Sequence, residues 1–283
     1  MYGILRPMIA NLPHLRILPI ESVILHEDHD MQRTLPLVDK LRSQGVLRNP
    51  PIVMPLNDGT DRFMVLDGAN RVTSLHELEF PHIVAQVVEA SNPHVNLQTW
   101  NHVVCGMKTR SLVTALHKVK GIELVKVNTR RSLDAPKYVP MQIRLPNENF
   151  FIMKETPSDL ATHIQTMHSV VNSYKTRASF DRTSQTLIET FTKIYPDLTA
   201  LVIFPQFKIK TVLKLAGQNI LLPSGITRFT VSPRALHLNY PLHELSSGKP
   251  IEYKQKYLNQ WIHERVKTKG VRQYSEATFL FDE

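Results

Sequence analysis

Along the first hundred residues, short apolar runs with a strand-like period of two alternate with segments of helical spacing. "LRILPIESVIL" (15–25) is apolar and β-branched, which predicts a strand followed by a turn-like segment. "HEDHD" (26–30) is a polar break. "TLPLVDKLRSQG" (34–45) predicts a helix, with Thr34 as N-cap, Pro36 in the first turn and Gly45 at its end. Leu37, Val38 and Leu41 supply its apolar face. "PPIVMPL" and "RFMVLDG" are short strands flanking "NDGTD" (57–61), where Asp58-Gly59 is a hairpin signal. "NRVTSLHELEF" (70–80) places Val72, Leu75 and Leu78 on one helical face, and "IVAQVVEA" (83–90) is another strand.

A second region continues the alternation. "SLVTALHKVKG" (111–121) reads as helix and "IELVKV" as strand, while "YVPMQIRL" and "FFIMK" pair around "PNEN". "SDLATHIQTMHSVVNSY" (158–174) is a helix with Ser158 as its cap. "SQTLIETFTKIY" (184–195), "ALVIFP" and "KIKTVLKLAG" follow. A last helix, over about 250–267, carries Tyr257, Leu258, Trp261 and Ile262 at helical spacing, a core pattern rather than a ligand site. The expected fold class is α+β, with a first unit over 1–104 and an α/β region over 105–283.

Composition narrows the picture. The 283 residues are 42% hydrophobic and 21% charged, enough to bury a sizeable core. The net charge of +9 attracts polyanions. The densest basic clusters, "KTKGVR" and "NTRR", lack interleaved aromatics, so only weak, sequence-independent DNA binding is expected. Cys105 is the single cysteine, which excludes an internal disulfide and a cysteine-rich zinc site. Neither a signal peptide nor a membrane span is read, so a cytoplasmic protein is expected.

Candidate chemistry concentrates in "FMVLDGANRVTSLHEL" (63–78). A helix start exposes unpaired N–H groups and a partial positive charge, which suits an anion. Gly68 would let a phosphate approach the backbone, Arg71 could grip it, and Asp67 could hold a Mg²⁺ or orient a hydroxyl. The stretch alone is read as readily, and more economically, as a capped tight turn. Walker-type glycine loops are absent from the sequence. His26-Glu27 does not extend to a zinc motif, because His29 follows His26 by three positions instead of four. Glu27 is left as a lone carboxylate suited to general-base work. In "QTWNHVV" (98–104), Thr99 and Trp100 could wall a small polar substrate or pack a join between regions. Thr227-Arg228 could grip a carboxylate or lie on a surface hairpin.

Taken together, "ILPIESVILHEDHD", "LRSQGVLRNPPIVM" and "RFMVLDGANRVTSLHELEF" resemble the N-terminal domain of the ParB/sulfiredoxin-like superfamily. Arg48-Asn49-Pro50 and the Asp67-Gly-x-x-Arg71 loop carry the likeness. Within it the chain looks most like the free L-serine kinases, ADP- or ATP-dependent, as far as about residue 245. The resemblance implies a nucleotide-dependent kinase that uses ATP or ADP with Mg²⁺ and acts on a small amino acid. It implies Glu27 as the base for the hydroxyl and Asp67 as the acid of the loop. Asn49, Gly68, Ala69, Asn70 and Arg71 would lie at the nucleotide and its phosphates, and Thr99, Trp100, Thr227 and Arg228 on the substrate side. Two departures stand out: Ala69-Asn70 where those kinases read His-His, and Phe229 where they read His. The other function considered is a ParB-like, nucleotide-responsive DNA-binding regulator. It is disfavoured because no helix-turn-helix pattern follows the first unit.

Overall fold

The computed structural model describes residues 12–28, 31–120, 122, 124–127, 141–146, 150–153 and 159–274. Its first sheet has the order β1-β6-β4-β5-β2, built from β1 (Leu15–Pro19), β2 (Val23–Ile24), β4 (Ile52–Pro55), β5 (Phe63–Asp67) and β6 (His82–Val87). The β4–β5 hairpin turns at Asp58-Gly59, as its sequence demands. The Asp58 carboxylate accepts from the Thr60 amide at 3.0 Å and from Arg62 at 3.1 Å. β2 lies parallel to β5, so the chain leaves both strands at the same edge, one into His26-Glu27 and the other into Asp67-Gly68.

Two helices cover this sheet, α1 (Met31–Gln44) and α2 (Ala69–Glu77). α1 begins at Met31, so Thr34 is not its cap and Pro36 lies inside it. Thr34 is buried where α1 meets α2, and its carbonyl accepts from the Ser74 hydroxyl at 3.3 Å. Tertiary packing here outweighs the capping preference of a threonine.

The second sheet is antiparallel throughout, with the order β12-β8-β13-β10-β11-β9. It comprises β8 (Asn101–Cys105), β9 (Leu124–Val127), β10 (Gln142–Arg144), β11 (Phe150–Met153), β12 (Ser179–Thr183) and β13 (Leu198–Ile203). Against its core lie α3 (Thr109–Leu116), α4 (Leu160–Lys175) and α6 (Ile209–Gly217), while α5 (Glu189–Thr192) is a single turn. α4 buries Ile164, Met167, Val170, Val171 and Tyr174, one stripe at helical spacing. Its cap is Asp159, whose carboxylate accepts from the Thr162 amide at 2.8 Å; Ser158 lies outside the described residues.

Two ribbons join the halves: β7 (Val95–Thr99) pairs antiparallel with β14 (Thr227–Val231), and β3 (Val46–Leu47) with β15 (Tyr240–Pro241). After β15 the chain returns to the first core through α7 (Leu242–Ser246) and α8 (Ile251–Lys267). Leu245 and Leu258 are fully buried among Ile17, Leu18 and Val84, and Gln255 accepts from the Ile17 amide at 2.8 Å. Burying a leucine contributes about 1.5–3 kcal/mol. Lys254 is also buried, its ammonium donating to the carbonyls of Leu245 at 2.7 Å and Ser247 at 2.6 Å at the end of α7. Among the described residues no helix is long and apolar enough to cross a membrane.

Candidate active site

Glu27 follows β2, where a parallel bridge pairs it with Leu222. The Asp28 amide donates to the Leu222 carbonyl at 2.9 Å, and the Leu222 amide to the His26 carbonyl at 2.8 Å. The Glu27 carboxylate is thereby set under the 225–227 turn. Its Oε2 accepts from the Gly225 amide at 2.7 Å. Its Oε1 accepts from the amides of Ile226 (3.1 Å) and Thr227 (2.6 Å) and from the Thr227 hydroxyl (2.5 Å). Gly225 makes this possible, with φ of 78° and Arg182 lying across it. A Cβ there would come within 2.5 Å of the Arg182 Nε.

His26 is buried beside the same turn. Its Nδ1 lies 2.6 Å from the Val65 carbonyl and its Nε2 2.7 Å from the Thr227 hydroxyl. Burial pushes the imidazole below its usual range, against opposing contributions from the Glu27 charge and the Val65 carbonyl. Phe229 packs edge-on against the ring at 5.3 Å between centroids, which gives the departure from histidine at that position a local packing role.

Asp67 ends β5, and Gly68 starts α2 in the left-handed region at φ of 96°. Arg71 folds back over Gly68. A Cβ at Gly68 would lie 2.8 Å from the Arg71 Nη2 and 2.9 Å from the Pro51 Cβ. The Arg71 guanidinium donates to the Asn49 carbonyl at 3.0 Å and to Asp67 at 3.5 Å. The Asn49 side chain holds the 237 backbone, accepting from the His237 amide at 2.8 Å. Ala69 packs on the first core, and Asn70 is half-buried in the first turn of α2.

A residue that sequence reasoning missed stands opposite. Arg234 donates to the Asp67 carboxylate. It is aimed there by Gln86, which donates to the Pro233 carbonyl at 2.9 Å and accepts from the Ala235 amide at 2.8 Å. The available signal was Gln86 itself, a polar residue in the apolar strand "IVAQVV" that is 2% exposed. Two guanidinium groups and a helix N-terminus thus surround one carboxylate.

The substrate-side candidates lie on the β7–β14 ribbon. Thr99 pairs with Thr227 and Gln98 with Arg228, and the Trp100 amide donates to the Ile226 carbonyl at 2.9 Å. The Arg228 guanidinium sits over the Trp100 ring at 4.4 Å. The Thr99 hydroxyl donates to the Pro205 carbonyl at 3.4 Å. The 225–228 turn therefore links Glu27 directly to Trp100 and Arg228, and Arg234, farther along the same segment, reaches Asp67.

Basic charge also gathers away from this region. A cavity of about 1040 Å³ between α3 and α4 is lined by Lys108, Arg110, Lys118, Lys120 and Arg177. The described residues contain no cluster of three or more His, Cys, Asp or Glu side chains that could hold a metal ion.

No family model matches the chain. The ATP-dependent L-serine kinase SbnI of Staphylococcus aureus is 24% identical over 273 residues, 95% of this chain and 98% of that protein. An ATP-dependent L-serine kinase of Staphylothermus marinus is 30% identical over 90 residues, 32% of this chain and 35% of its own. The solved structure of C-terminally truncated SbnI superposes with a TM-score of 0.72 at 21% identity, covering 89% of this chain and 97% of that one. A free serine kinase in complex with AMP superposes with a TM-score of 0.66 at 14% identity, covering 82% and 93%. The chain has the free serine kinase fold. The likeness to SbnI spans 95% of the chain, farther than the residue-245 limit read from sequence.

That fold gives Gly68 a testable weight. Gly68→Val would strain a left-handed backbone and push into Pro51 and Arg71. Its expected cost is about 1–3 kcal/mol of stability, together with loss of nucleotide binding. Arg71→Ala is expected to weaken nucleotide affinity by about 1.5–3 kcal/mol. Unchanged calorimetric affinity in both variants would reduce the loop to a capped turn.

Proposed function

We propose that this protein is a nucleotide-dependent kinase that phosphorylates free L-serine, or a similar small hydroxyl compound, to the O-phosphate. The observation that carries the reading is the link between Glu27 and the 225–228 turn. It joins a potential base to a cation near the β2–β5 edge, where Asp67, Arg71 and Arg234 surround a helix N-terminus. Phosphoryl transfer asks for this kind of positioning and charge neutralisation more than for covalent chemistry.

In this reading the donor's phosphates lie at the start of α2, against Gly68, with Arg71 and Arg234 turning from Asp67 toward them. Asn70 can donate its amide to a phosphate oxygen, in place of a histidine. Asp67 is a hard oxygen ligand, 42% exposed, and fits a Mg²⁺ that takes one or two carboxylates and completes its shell with phosphate oxygens and water. Such an ion would supply neutralisation of charge on the transferring group. Among the described residues Glu27 Oε1 accepts three donors and Oε2 only the Gly225 amide, so Oε2 is the oxygen left to take the acceptor's proton. Arg228 holds the acceptor's carboxylate, with Trp100 as the wall beneath it.

The direct test is incubation with Mg²⁺, ATP or ADP, and serine, with O-phosphoserine read by mass spectrometry. Absence of phosphorylated product from serine and from related hydroxy amino acids would overturn the proposal. Arg228→Ala is expected to raise the acceptor KM by roughly 10–100-fold, the scale of one lost charged hydrogen bond, while the nucleotide KM changes little. Equal effects on both would remove Arg228 from the acceptor side.

A further inference from the structure

The contacts around His26 do not balance in protons. The Val65 carbonyl can only accept, so at 2.6 Å the His26 Nδ1 carries the hydrogen. In the neutral ring Nε2 is then an acceptor. It faces the Thr227 hydroxyl at 2.7 Å, and that same hydroxyl faces Glu27 Oε1 at 2.5 Å. One hydroxyl proton thus serves two acceptors, and it can satisfy only one at a time.

We propose that the Thr227 hydroxyl is a switch between Glu27 and His26, and that His26 is a positioning residue that makes Glu27 a better base. The inference rests on Glu27 having that role in the proposed kinase reaction. While Glu27 is ionised, the hydroxyl donates to Oε1. As the acceptor's oxygen bonds to phosphorus, its proton passes to Glu27 Oε2 and the electron pair of the cleaved phosphoanhydride bond leaves with the nucleotide. Oε1 then becomes a weaker acceptor, still held by the Ile226 and Thr227 amides. The Thr227 hydroxyl turns to His26 Nε2, which has kept a lone pair for it. Without that second acceptor the hydroxyl would stay on Glu27 and disfavour protonation, since hydrogen bonds to the charged form hold a carboxylate ionised. Other titratable and charged groups around the pair are Arg182 across Gly225, His102 on the Gly225 carbonyl, His168 paired with Asp28, Arg228 on β14, and Asp67 at the end of β5. The Thr227 hydroxyl itself meets His26 Nε2 and Glu27 Oε1.

The proposal makes the two obvious variants move in opposite directions. Thr227→Val removes a donor from Glu27, so the acid limb of kcat/KM should move to higher pH by about one unit, the size of one charged hydrogen bond. His26→Asn should move it to lower pH, and the His26 effect should vanish in the Thr227→Val background, because His26 acts through that hydroxyl. Thr227→Ser should restore the parent profile. A readout independent of turnover is the ¹⁵N resonance of His26 Nε2 in the unliganded protein. In the parent it should shift as Glu27 titrates; in Thr227→Val it should not. Shifts of the two variants in the same direction, a His26 effect that survives without the hydroxyl, or an Nε2 resonance indifferent to Thr227 would each overturn the switch. Absence of any O-phosphoserine, by contrast, would overturn the kinase reading and leave the resonance test standing.

Discussion

Glu27→Gln is expected to lower phosphoryl transfer by roughly 10²–10⁴-fold, the usual loss for a general base. The structure adds a second effect. Four donors converge on this carboxylate, and an amide in its place would turn an N–H toward at least one of them. A buried donor left facing a donor costs about 1–3 kcal/mol, so the 225–227 turn should loosen and take Arg228 with it. Turnover should therefore fall, the acceptor KM should rise, and nucleotide affinity should be nearly unchanged. Glu27→Asp separates the two effects, because it keeps the charge but draws it back by one methylene. Parent-like turnover in Glu27→Gln would leave Glu27 as a structural tie alone.

Acid should unfold this protein earlier than its basic composition suggests. His102 is fully buried, with Nδ1 2.8 Å from the Tyr174 hydroxyl and Nε2 3.2 Å from the Gly225 carbonyl. Burial pushes its imidazole from 6.5 down to about 3. In the unfolded chain it takes a proton near pH 6.5, whereas in the folded protein it does so only near 3. The unfolded state binds more protons between those values, so stability is complete above about pH 6.5 and is lost as the pH falls toward 3. The loss from His102 alone is on the order of 4 kcal/mol. His26 and His163 are lowered by burial in the same direction, and the His163 ring nitrogens have no hydrogen-bond partner among the described residues. Urea titrations across this range should show the slope, and His102→Gln should flatten it. An identical slope in the variant would refute the assignment.

Much of the local structure was legible because local chemistry decided it. Asp58-Gly59 can hardly do other than turn, and the stripe of α4 has one way to face a core. Where burial competed with local preference, the reading slipped. Thr34 resembles a cap but sits inside α1, because its position against α2 is worth more than a capping bond. The site was legible as residue types and illegible as contacts. Glu27 looked like a solitary carboxylate because its partners lie 198 to 200 residues onward. Arg234 carries no local signal, since the clamp that aims it is set by Gln86 on a distant strand. The Asn49 side chain also holds the backbone at His237, a contact 188 residues away in the chain that no local pattern announces.

The return of α8 to β1 bears on how the chain is made. The core that holds Ile17 and Leu18 is completed by Leu245 and Leu258, which leave the ribosome roughly 230 residues later. At about 5–20 residues per second, the opening strands wait on the order of 10–50 s for their last partner. During that interval the nascent chain carries an unfinished core, with apolar strand surface still open to solvent.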